Sequence, residues 1–115
     1  MKRVSSVALL LMVTACATAE GRRESNGPIV RTTAKSFAAF QSCFATRQEG
    51  RLVGPPTYTP KENGGTFTNN LSSTGLSLYV VDIIDLGQQR EVRLYAKGGI
   101  YGSKKQVLGV IDQCL

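Results

Sequence analysis

The chain has 115 residues, 42% of them hydrophobic, with three cysteines, no histidine, no tryptophan and a formal charge of +6. That length suits one domain, since domains commonly hold roughly 100 to 150 residues. The lack of histidine excludes Ser-His and Cys-His catalytic devices, and the composition reads as a non-enzyme that needs no metal and no cofactor.

At the start of the chain, Lys2 and Arg3 precede an apolar stretch from Val4 to Ala15, and small residues follow. These are the three parts of a secretory signal. The stretch is far short of the roughly 20 apolar residues that a helix needs to cross a bilayer. Its end, Val13-Thr14-Ala15-Cys16, resembles the lipobox of bacterial lipoproteins, with Val13 where Leu is commonest. The resemblance covers residues 1–17. It implies a signal peptide over 1–15, cleavage after Ala15, diacylglyceryl attachment to the Cys16 thiol and acylation of the new amino terminus. Ala17 in place of Asp beside the cysteine implies the outer membrane, with the domain facing the periplasm. A competing cut exists, because Ala17-Thr18-Ala19 has the A-x-A form of an ordinary signal-peptidase site. Cleavage after Ala19 would release a soluble periplasmic binding protein.

Under either cut Cys16 leaves the thiol pool, and Cys43 and Cys114 remain. Two leftover cysteines in a small exported domain pair with each other, so a Cys43–Cys114 disulfide is expected. Removing Lys2 and Arg3 takes the charge from +6 to +4. Basic charge in an exported protein points to an anionic envelope polymer or lipid head groups rather than to nucleic acid, with plain solubility as the simplest reading.

Residues 16–33 are polar and broken by Gly21, Gly27 and Pro28 without an apolar period, which predicts a flexible tether. Arg22 and Arg23 in it read as solvated charges, or as contacts to anionic head groups. The folded domain is expected over 34–115. Thr33 serves as the N-cap of a first helix running to about Gln48, with Phe37, Phe40 and Phe44 on one face as core and Cys43 beside them. Between 50 and 70 the short runs Thr57–Thr59 and Thr66–Thr68 are interrupted by glycine and proline and read as edge strands or a loop.

A hairpin follows, with strands over Leu76–Asp85 and Arg90–Lys97 and a turn over Leu86–Gln89. Val92, Leu94 and Ala96 alternate with Glu91, Arg93 and Tyr95, as in a strand with one buried face. The first strand is apolar on both sides, which predicts a central strand covered twice. The other reading makes its second face a protein contact formed by Tyr79, Val81, Ile83 and Tyr95. A last helix is expected from Ser103, as N-cap, to Leu115, with Val107, Ile111 and Cys114 inward. The predicted fold is α+β: a helix, an antiparallel sheet of three or four strands and a C-terminal helix, with both helices packed on one sheet face and joined by the disulfide.

Asp82 and Asp85 stand an odd number apart and face opposite sides of a regular strand, which makes them a poor acid–base pair. The remaining site candidate is the turn of Gly98, Gly99, Gly102, Ser103, Lys104 and Lys105. It is a glycine-rich strand-to-helix connection with basic residues where unpaired N–H groups attract anions. Its spacing and order depart from a P-loop, so the expectation is anion binding without nucleotide hydrolysis. Together these readings describe a small cell-envelope lipoprotein, a tethered interaction or structural module held to the membrane by lipid, with another envelope protein or an anionic polymer as partner.

Overall fold

The strand alternation read from the sequence sets the architecture of the computed structural model, which describes residues 19–25, 27–49, 56–71, 76–98 and 103–115. In chain order, β1 is Ile29–Thr33, β2 Thr57–Lys61, β3 Gly64–Leu71, β4 Leu76–Asp85 and β5 Arg90–Ala96. The helices are α1, Ala19–Ser25, α2, Phe37–Glu49, and α3, Lys104–Cys114. The strands form one antiparallel sheet in the order β1-β5-β4-β3-β2. The fold is α+β, as expected, but the sheet has five strands where the sequence suggested three or four.

The central hairpin lies where alternation placed it. Val81 stands opposite Leu94 and Ile83 opposite Val92, so all four point to one side of the sheet. There they meet Phe40 and Phe44 of α2 and Val107, Val110 and Ile111 of α3 in a single core. Phe44 is the centre of this layer, its ring 4.8 Å from Phe67 and 6.5 Å from Tyr79. The loop over 86–89 closes with Leu86 N–H donating to the Gln89 carbonyl at 2.9 Å. Gly87 takes a positive φ of 92°, which a residue with a Cβ adopts only with strain.

Cys43 and Cys114 are bonded, joining α2 to α3 with a Cα separation of 5.8 Å. Both helices cover the same sheet face, hereafter the inner face, as predicted. The side chain of Phe37, at the start of α2, is half-buried against Tyr58, and Phe40 and Phe44 are fully buried. The cap of α2 differs from expectation. Ser36 Oγ accepts the Ala39 N–H at 3.1 Å, in the N-cap geometry. Thr33 closes β1 instead, and its hydroxyl accepts the Lys35 N–H at 3.1 Å.

The largest departure concerns 16–33. Where the absence of an apolar period predicted a flexible tether, residues 19–25 form α1 and residues 29–33 form an edge strand paired with β5. The folded unit therefore begins at least as early as Ala19 rather than at 34. Hydrophobic periodicity misses α1 because its buried position is Gly21 and its anchor is a charge. Glu20 in the first turn and Arg22 and Arg23 in the last suit the helix dipole, and Arg23 also pairs with Glu20 at 3.4 Å. The runs at 57–59 and 66–68 are parts of a full hairpin, β2–β3. It turns at Glu62-Asn63, and a Cβ at Gly64, whose φ is 150°, would run into the Ile83 carbonyl.

Arg90 fastens this end of the sheet. It donates to the carbonyls of Lys35 at 2.8 Å and Gly87 at 2.7 Å, and to Asp85 Oδ1 at 3.3 Å. One guanidinium with donors in a fixed fork thus ties the β1–α2 connection to the β4–β5 turn.

Candidate functional site

The second face of β4, the outer face, carries Val80, Asp82 and Ile84, and β5 contributes Glu91, Arg93 and Tyr95 there. The register sets Arg93 directly opposite Asp82. Arg93 instead binds Glu91, with Nη2 to Oε2 at 2.8 Å. Asp82 is left to Arg23 of α1, which donates from Nε and Nη2 to Oδ2 and Oδ1 at 2.8 and 2.7 Å. The Thr66 hydroxyl donates to Oδ1 at 2.7 Å.

Bidentate arginine–carboxylate pairs are short, strong and geometrically specific. This one is partly sheltered, with the Arg23 side chain 26% exposed and Asp82 19%. Burial by itself would raise the Asp82 carboxyl, but the bonds from Arg23 and Thr66 and the nearby cations outweigh it and hold the group below its ordinary value. The Asp82 hydrogen bond likewise raises Arg23. A carboxylate held ionised in this way is a latch for α1 and a poor proton donor. Beside it lies a groove of about 320 Å³ bordered by Lys61, Asn63, Thr66 and Ile84.

A second groove of about 590 Å³ lies at the β2–β3 turn, with Phe37 and Tyr58 as its apolar wall and Lys61, Glu62 and Asp85 at its rim. Asp85 is turned to the Gly87 N–H and Arg90, away from Asp82 as the strand period requires.

The predicted sites fare differently. Tyr79 and Val81 are fully buried and Ile83 is 2% exposed, under α2 and α3. Tyr95 stands opposite Val80 and so points to the outer face. The four do not form one exposed surface, and the reading of this face as a protein contact is corrected: its apolar side chains are core. Cys16, Gly99 and Gly102 lie outside the described residues.

Of the predicted anion turn, Gly98 and Ser103–Lys105 are described. Ser103 occupies the N-cap position of α3 without a side-chain cap bond. Its hydroxyl donates to the Leu78 carbonyl at 3.1 Å, and the Lys104 N–H donates to the Lys97 carbonyl at 3.2 Å. Two of the donors that an anion would need are thus taken, and the exposed Lys104 and Lys105 side chains remain beside Gly98 and Leu108.

Three buried polar side chains have atoms without partners among the described residues. Gln48 lies one turn beyond Phe44, whose ring meets Tyr79, and Asn69 sits at the register shift of the β3–β4 pair. The Gln48 amide, Asn69 Nδ2 and the Tyr79 hydroxyl have no hydrogen-bond partner among the described residues. Burial raises the Tyr79 phenol well above its ordinary range.

Arg23 is the residue that sequence reasoning missed. The signal for it was Asp82, a carboxylate in a largely apolar strand whose cross-strand neighbour Arg93 has its own carboxylate, Glu91, two residues away, so that a second cation is called for. Comparison of the chain with protein families, with curated proteins and with solved structures gives no match.

Proposed function

We propose that this protein is a small lipoprotein of the bacterial cell envelope, a non-enzymatic interaction or structural module held to the outer membrane through lipid on Cys16 and facing the periplasm. The observation that supports the reading is that two of the three cysteines are bonded to each other, which leaves the lipobox-like Cys16 outside that pair. Cys43 and Cys114 are bonded to each other, a pairing that persists in oxidising compartments. Cys16 stands apart at the end of a lipobox-like sequence behind a basic and apolar leader. The partner class is another envelope protein or an anionic envelope polymer, in keeping with the charge of +4 that remains after Lys2 and Arg3 are removed from +6.

Metabolic labelling with radioactive palmitate tests the anchor. Wild-type protein takes up label and fractionates with membranes, and Cys16→Ala takes up none. Wild-type protein that stays unlabelled in the periplasmic fraction overturns the reading and favours cleavage after Ala19.

A further inference from the structure

The absence of a long tether gives the domain an orientation. Residues 16–33 read as a flexible leash would hold the domain a few tens of Å from the bilayer, at about 5–6 Å times the square root of the length. In the structure α1 is described from Ala19, and it is clamped to the outer sheet face by Arg23 on Asp82. Only three residue steps separate Cys16 from Ala19, and an extended chain gains at most about 3.6 Å per residue. The lipidated sulfur's own residue therefore lies within about 11 Å of the start of α1.

We propose that the outer sheet face, with α1 on it, lies against the lipid head groups, and that α2 and α3 face away from the membrane. This rests on the lipoprotein reading of Cys16. The helices α2 and α3 form the layer on the opposite side of the sheet from α1, bonded to each other by the disulfide, so a short link at α1 places the lipid nearer the outer face than the helices.

The chemistry of the outer face suits the headgroup layer. Its strand carboxylates, Asp82 and Glu91, are each engaged by an arginine, and α1 adds two exposed carboxylates, of which Glu20 is paired with Arg23 and Glu24 is open to solvent. Its exposed strand positions Thr32, Thr57 and Thr59 are uncharged hydroxyls, and Val30 exposes 43% of its surface. Lys61 is on the same face. The occupant that fits is a hydrated lipid surface, because the anchor fixes its position and the strands offer threonine hydroxyls and the Lys61 cation to it.

The chain contains no tryptophan, so single-tryptophan reporters are free of background. Thr32→Trp and Thr59→Trp flank α1 on the outer face, and Thr46→Trp stands on the exposed side of α2. Full-length lipidated proteins, each checked for acyl chains by mass, are reconstituted into phosphatidylethanolamine–phosphatidylglycerol vesicles containing a nitroxide-headgroup lipid. The expected result is several-fold stronger quenching at positions 32 and 59 than at 46. A Gly/Ser insertion of about 20 residues after Thr18 flattens that difference, because it adds a flexible span of roughly 25 Å. Equal quenching at all three sites, or stronger quenching at 46, in protein that carries acyl chains overturns the orientation and leaves the lipoprotein reading standing. Protein without acyl mass removes the lipoprotein reading and the orientation with it.

Discussion

Reducing the Cys43–Cys114 bond is expected to remove a large part of the domain's stability. The two cysteines are 71 positions apart. In the chain-entropy model a loop of that length restricts the unfolded chain by about 15 cal/mol/K, or about 4 kcal/mol at 25 °C. Small domains have roughly 5–15 kcal/mol in total, so the bond carries a third or more of a typical margin. With 4–8 °C per kcal/mol for a domain of this size, the melting temperature falls by about 15–30 °C.

Urea unfolding of a Cys16→Ala chain, followed by far-UV circular dichroism and tyrosine fluorescence with and without a phosphine reductant, measures the effect. Reduction with the Cys43 and Cys114 side chains both in place isolates the cross-link. A Cys43→Ala/Cys114→Ala protein adds a packing loss at Cys114, which is fully buried, and should be somewhat less stable still. A reduced chain within about 1 kcal/mol of the oxidised one would refute the reasoning, since a loop this long cannot constrain the unfolded state so little in that model.

Asp82→Asn breaks a partly sheltered charge-assisted pair and should cost about 1–3 kcal/mol, read as a lower urea midpoint. Because the folded Asp82 carboxyl is depressed, its contribution is present above the unfolded value near 3.9 and is lost as pH falls below about 4. The Asn variant should therefore lose less stability than wild type between pH 5 and 3 in parallel melts, roughly the window in which native carboxylates are titrated. Gly109→Ala should raise stability by about 1 kcal/mol, because Gly109 is exposed in α3 and an added Cβ meets nothing within 4 Å; a lower melting temperature would contradict this. Tyr79→Phe removes a buried hydroxyl without a partner among the described residues and should leave stability unchanged or raise it by about 1 kcal/mol, whereas a loss above that size in denaturant melts would show that the hydroxyl is bonded. Gly64→Ala should be severely destabilising in the same melts, since its Cβ meets backbone at Ile83 and its φ is positive.

The inner half of this fold was legible in the sequence because it is held by apolar periodicity. Phe40 and Phe44 at helical spacing, Val92 and Leu94 at strand spacing, and the even pair of cysteines each name their partners in a small core. The outer layer was not legible, because it is held by polar geometry that leaves no period. Gly21 is buried in α1 without being apolar, and Arg23 reaches a carboxylate 59 positions away. In β1, Ile29 packs on the core while Val30 is largely exposed, so composition alone does not mark the strand. The protein-contact reading failed for a related reason: the apolar second face of β4 was assigned to Tyr79, Val81 and Ile83, which the register turns inward together. The turn at Gly98–Lys105 was recognised as a strand-to-helix connection, but the sequence could not show that Leu78 and Lys97 carbonyls take up the Ser103 hydroxyl and the Lys104 N–H.

The most direct test of the whole account is the intact mass of the protein extracted in detergent from its native host, before and after reduction. The account predicts a mature chain that begins at Cys16, carries added acyl mass and gains two hydrogens on reduction of Cys43–Cys114. A chain that begins at Glu20 without lipid would contradict the anchor and leave a soluble periplasmic protein in its place.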